Sequence, residues 1–247
     1  MKTISNKSKI VFLSTFPPTQ CGIATYTQDT IKGITDVFGK SISCQICELV
    51  DSPKEKPTQA FTLNTKDKKE YAKVAEAINK DKSVKLVHIQ HEFGLFGGNY
   101  GDYLLDFLNV IKKPLTYTFH SVIPNPNNEL KTFVKLLLSY SNSVFVMTNQ
   151  SKEILINDYG IDDEIITCVP HGTHIVIYET TDQAKLKFHI QDRKVLSTFG
   201  LLGEGKNIET GLQALPKIIA KEPNVLYLII GKTHPNLIID GVDAYRD

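Results

Sequence analysis

Apolar positions along the chain come in short blocks separated by longer periodic stretches. Runs of strand length recur at fairly even spacing: "KIVFLS", "ISCQICELV", "VKLVHIQ", "LTYTFH", "SVFVMT" and "IITCVP". Between them, "ATYTQDTIKGITDVF", "DKKEYAKVAEAINK", "YGDYLLDFLNVIK", "ELKTFVKLLLSY" and "SKEILINDYG" carry apolar residues at helical spacing. Continuous apolar strands alternating with helices predict a parallel sheet covered on both faces, a doubly wound α/β domain over residues 1–172. Residues 173–193 are polar and weakly periodic and read as a linker. The alternation restarts over residues 194–247 with a strand "KVLSTFGLL", a helix "NIETGLQALPKIIAKE" and a strand "NVLYLIIG". One βαβ unit is only part of such a domain, because parallel strands need several neighbours to bury both faces. The expected architecture is one complete Rossmann-like domain followed by a partial one that reads as cut off.

Ligands of open α/β sheets sit at the carboxyl ends of the strands, so the residues following each strand carry the functional argument. After the first strand, "FPPTQCGIATYT" turns on two prolines that cannot donate to a ladder and opens a helix at Gly22. The unpaired amides of a helix start suit an anion, although neither the dinucleotide fingerprint nor a Walker loop is present. After the third run, "QHEFGLFGGNYG" places His91 and Glu92 at a strand end before four glycines, which reads as a binding loop. His120 ends the fourth run in "TFHSVIPNP", and His171 follows the sixth in "VPHGTH". Three strand-end histidines are expected to face one crevice. In the second half, Gly203, Gly205 and Lys206 lie between a strand and a helix, where a lysine opposes the helix dipole unless an anion is near.

Composition narrows the chemistry. The chain has 247 residues, 41% of them apolar, and its 28 basic residues nearly balance 27 acidic ones. That balance offers no electrostatic footprint for nucleic acid. No apolar run approaches the length of a membrane span, and the expected location is cytoplasmic. "LKTFVKLLLSY" reads first as a core-facing helix and second as one lying on a membrane surface. Cys21, Cys44, Cys47 and Cys168 are scattered, and "CQIC" falls inside a strand, so they read as small buried hydrophobes. Metal ligation by the histidines is the weaker reading, since no HExxH, paired cysteines or facial triad accompanies them. No GxSxG elbow supports a serine hydrolase.

In this order and spacing, "FPPTQCGIATYT", "QHEFG", "TFHS", "VPHG", "FGLL" with "GK", and "GKTHP" resemble the family-4 retaining glycosyltransferases of the GT-B fold. The resemblance implies two Rossmann-like domains, an acceptor-side domain at residues 1–172 and a nucleotide-sugar-binding one from residue 194. It implies transfer of a sugar from a nucleotide-sugar to a carbohydrate or glycoconjugate acceptor with retention, and no cofactor or metal. It carries Gly22 to the donor diphosphate, His120 to the reacting sugar, Lys206 with Gly205 and His171 to donor binding, and His91 and Glu92, with less force, to the acceptor side. Two departures stand out. Leu201 or Leu202 occupies the place of a family arginine, and the family's later pair of glutamates has no counterpart. The second reading is therefore a noncatalytic remnant or split half that binds a partner, associating through the incomplete second domain.

Overall fold

The computed structural model describes residues 7–39, 41–52, 59–243 and 245–246. The chain divides into two compact units, Met1–Gly172 and Thr173–Asp247. The first runs β1 (Ser8–Ser14), α1 (Gly22–Phe38), β2 (Ile42–Val50), β3 (Phe61–Asn64), α2 (Lys68–Lys80), β4 (Val84–His91), α3 (Leu104–Leu108), β5 (Leu115–Phe119), α4 (Asn128–Ser139), β6 (Ser143–Val146), α5 (Asn149–Asn157) and β7 (Ile166–Cys168). Its strands form one parallel sheet in the order β3-β2-β1-β4-β5-β6-β7. Strand order reverses direction between β1 and β4, which opens a crevice at their carboxyl ends.

Two features depart from the sequence reading. The strand β3, "FTLN", was not expected: four residues at a sheet edge are too few to show a period. The helix expected over "YGDYLLDFLNVIK" shrinks to the five residues of α3, because the chain before it turns through positive φ at Gly98, Tyr100 and Gly101. Three glycines of that loop, Gly97, Gly98 and Gly101, answer to packing or to a positive φ. A Cβ at Gly97 would collide with the Thr65 carbonyl, and Gly98, at φ 87°, would strike the Asp102 carboxylate.

Strand parity divides the first unit. Odd-numbered residues Val11, Leu13, Val87, Ile89, Tyr117 and Phe119 join one buried core with Tyr71 and Ile78 of α2, Phe107 of α3 and Phe133 and Leu137 of α4. Each such side chain contributes about 1.5–3 kcal/mol by leaving water. The apolar face of α4 is spent on this core. Ile10 and Phe12 of β1, His88 of β4 and Thr118 of β5, at the alternate positions, face α1, where Ser14 and Thr27 share a buried hydroxyl hydrogen bond of 2.7 Å. Asp67, Asn127 and Thr148 cap the N-termini of α2, α4 and α5 with their side chains, whereas Cys21 gives α1 no side-chain cap.

The second unit comprises α6 (Thr181–Lys187), β8 (Lys194–Phe199), α7 (Ile208–Ile219) and β9 (Val225–Ile230), with β8 and β9 paired in parallel. The segment read as a linker thus contains a short helix. Thr180 and Gln183 close a reciprocal capping box at its start, which explains order in a stretch lacking apolar periodicity. Among the described hydrophobic residues of this unit only Leu202, Ile208 and Val225 are buried, while Phe199 and Ile230 are 74% and 54% exposed.

Candidate functional site

The helix α1 begins directly at Gly22, held by the bond from the Thr25 amide to the Cys21 carbonyl. Its first turn has no acidic residue and no side-chain cap, so its leading amides face outward with the positive end of the helix dipole. Gly22 does not take a left-handed φ, and a Cβ there would meet nothing within 4 Å. Neither backbone conformation nor internal crowding requires glycine there, and the space beside its Cα is open.

One helical turn on, Tyr26 gathers two of the predicted residues. Its ring centroid lies 5.0 Å from those of both His120 and His171, each in an edge-on arrangement. Burial raises the Tyr26 phenol above its ordinary range, and hydrogen bonds to Thr30 and Thr118 oppose this. His120 follows β5, and its backbone amide bonds the His91 carbonyl at 2.9 Å. Its ring Nε2 lies 2.7 Å from Gln90 Oε1. Desolvation, and secondarily the nearby His171, push the His120 imidazole down to about 4, so it is neutral at physiological pH. His171 is exposed, and its Nδ1 lies 2.7 Å from the Gly172 carbonyl oxygen, which it serves as donor. Glu92 accepts from the hydroxyl of Ser121, the residue after His120, and from the Phe93 amide, which fixes its carboxylate.

His91 does not join them. Its ring is fully buried on the core side, stacked 4.5 Å from Phe119 and flanked by Phe93, Phe96 and Tyr117. Burial holds its imidazole near 3. The expectation that three strand-end histidines face one crevice is corrected to two, because a residue at an odd position of β4 points into the core. His91 is a core histidine, and its acceptor-side assignment is withdrawn. The residue on the crevice side is its neighbour Gln90, which the sequence reading passed over along with Tyr26. Both could have been found by applying period two to "VHIQH" and period 3.6 to "GIATYT".

Beneath Tyr26 a hollow of about 310 Å³ lies between α1 and the facing side of the sheet, lined by Ile10, Phe12, Ile34, His88, Thr118 and Phe145 among others. His88 is saturated there, with Nδ1 2.8 Å from Thr116 Oγ1 and Nε2 3.0 Å from Thr118 Oγ1. Burial lowers its pKa to about 4. The hollow is apolar, and its one imidazole is spent on the two threonines.

In the second unit, Gly205 and Lys206 belong to a single 3-10 turn, Glu204–Lys206, that precedes α7. Asn207 intervenes in a left-handed conformation at φ 49°, and the first turn of α7 carries Glu209. Lys206 therefore stands just outside the helix, directly before its N-cap. It lines a hollow of about 400 Å³ with Leu201, Gly203, Glu204, Gly205, His234 and Leu237. Among the described residues no group of three or more His, Cys, Asp or Glu side chains is placed to hold a metal ion, and no helix is long and apolar enough to cross a membrane.

The fold and the placement of the crevice define an α/β protein of the Rossmann-like, GT-B-like kind, as the sequence led us to expect. No family model and no curated protein sequence matches the chain. Solved structures do share its fold. Anabaena HepE, in complex with UDP and glucose, is 15% identical with a TM-score of 0.60, covering 93% of this chain and 62% of its own length. A glycosyltransferase from Rickettsia africae is 15% identical at a TM-score of 0.55, covering 94% and 70%. The S. aureus MnaA–UDP structure is 12% identical at 0.51, covering 93% and 64%. The chain thus spans about three fifths of the length of HepE.

Proposed function

We propose that this chain carries the sequence of a nucleotide-sugar-dependent glycosyltransferase that transfers a sugar to a carbohydrate or glycoconjugate acceptor with retention of configuration. The observation that carries the reading is the start of α1. Uncapped amides at Gly22, open on the Cβ side, stand one helical turn from the Tyr26, His120 and His171 cluster. Such a helix start suits a diphosphate, and a neutral histidine nearby suits the hydroxyls of the sugar attached to it. Breaking a sugar-to-diphosphate bond builds negative charge on the leaving group, which preorganised amides stabilise at little reorganisation cost. Lys206 with Gly205 offers a cation to a donor phosphate, His171 contributes to holding the donor, and Glu92 with Ser121 serves the acceptor side. Likeness to structures that contain UDP supports the donor class, and the motifs "TFHS" and "VPHG" support the retaining family. No metal is needed if amides and lysine neutralise the leaving group.

A noncatalytic interaction module is the second reading, and the exposed Phe199 and Ile230 of the two-stranded sheet favour it. Calorimetry of the purified chain with UDP and a panel of nucleotide-sugars separates the two. Absence of any nucleotide binding would sink the transferase reading for this chain. If a donor binds, Gly22→Ala should weaken it by about 1–3 kcal/mol without loss of thermal stability, because the added methyl meets only the ligand. His120→Ala should lower turnover about tenfold or more with a smaller change in donor affinity.

A further inference from the structure

Gln90 and His91 leave β4 on opposite faces, and Gln90, on the α1 side, is fully buried. Its Oε1 lies 2.7 Å from His120 Nε2. A carbonyl oxygen only accepts, so Nε2 carries a proton, and the neutral ring then keeps its lone pair on Nδ1. The amide nitrogen of Gln90 has no hydrogen-bond partner among the described residues. Burying an amide with one end unanswered costs stability, and a leucine would fill the same place in the strand without that cost. The strand has no need of a glutamine there, but the imidazole does.

We propose that Gln90 is a positioning residue that fixes His120 in the Nε2–H tautomer, leaving Nδ1 as an acceptor for a hydroxyl of the bound sugar. The hydroxyl half of this rests on the glycosyltransferase reading, whereas the tautomer half concerns the protein alone. The groups that face the ring agree with a neutral state. Tyr26 of α1 stands edge-on to it, and the charged or titratable neighbours it feels are the imidazoles of His171 after β7 and of His88 and His91 on β4, none of which favours a charged ring. Burial keeps the ring unprotonated at neutral pH, so the choice of tautomer decides what it offers a substrate.

Long-range proton–nitrogen NMR of the ¹⁵N-histidine-labelled chain tests this, with the His120 signals identified by their loss in His120→Asn. The wild-type protein should show the Nε2–H tautomer. Gln90→Leu should populate the other tautomer. Gln90→Glu, of the same shape, should keep Nε2–H and raise the His120 titration midpoint by about one to three units, since an opposite charge now faces it. An Nδ1–H tautomer in the wild type, or one unchanged tautomer and midpoint across all three proteins, overturns the role of Gln90. With a donor and acceptor that turn over, Gln90→Leu should lower kcat about tenfold while the donor KM stays within about twofold. An unchanged kcat alongside a switched tautomer overturns the hydroxyl half, as does absence of nucleotide-sugar binding, which fails the underlying reading and leaves the NMR result standing.

Discussion

The two units are built from the same strand, turn and helix alphabet, yet they bury very different amounts of themselves. In the first, seven parallel strands place Tyr117, Phe107 and Leu137 at zero or near-zero exposure. In the second, two parallel strands leave Leu196, Phe199, Ile229 and Ile230 at 40–74%. A parallel strand is apolar on both faces because its usual neighbours cover both, so its composition presumes a sheet of several strands. The alternation of elements therefore reports the class of fold, and the number of strands reports whether that class has a core. The same contrast holds at the carboxyl ends of the strands. Tyr26, His120 and His171 are held by ring contacts and by the part-buried bond between His120 and Gln90, whereas Lys206 ends a 3-10 turn on a sparsely buried scaffold.

The largest expected effect tests burial directly. Phe107→Ala should cost about 3–5 kcal/mol in urea unfolding, while Phe199→Ala, 74% exposed, should stay within about 0.5 kcal/mol. Comparable losses at both sites would mean that the second unit buries Phe199 in solution, which breaks the comparison.

Acid should act next, and on the first unit. His88 and His91 have folded pKa values of about 4 and about 3, below the unfolded value of about 6.5. Between these limits the unfolded chain binds more protons than the folded one, so stability is full above pH 6.5 and falls as pH drops toward 4. The slope is on the order of 1 kcal/mol per pH unit for each histidine. Following unfolding midpoints from pH 7 to pH 4.5 checks this, and a flat profile would mean that neither ring is buried. His91→Phe, which suits the aromatic surroundings, should remove part of the slope.

The smallest effect sharpens the contrast at the site. Lys206→Ala should weaken UDP binding by about 1–3 kcal/mol in calorimetry and leave the unfolding of the first unit unchanged. An unaltered affinity would overturn the proposed donor role of Lys206.

Several features were legible in the chain itself. Apolar runs such as "KIVFLS" and "VKLVHIQ" announced central strands, since a strand buried on both faces needs no alternation. "FPPTQCGIATYT" announced a turn into a helix start, because proline cannot continue a ladder. The edge strand β3 and the shortened α3 were not legible, the first for want of length and the second because Tyr100 is bent left-handed by the glycines and packing around it.

What the sequence by itself determined is the order of elements, the doubly wound class and the strand ends at which polar residues gather. These follow from local periodicity and from residues whose backbone chemistry is fixed. Only the tertiary structure decided that His91 turns into an aromatic core while Gln90 turns toward His120, that Tyr26 stands against both His120 and His171, and that Asn207 separates Lys206 from its helix. Parity along one strand selects a face, but which face holds the core depends on helices contributed from elsewhere in the chain.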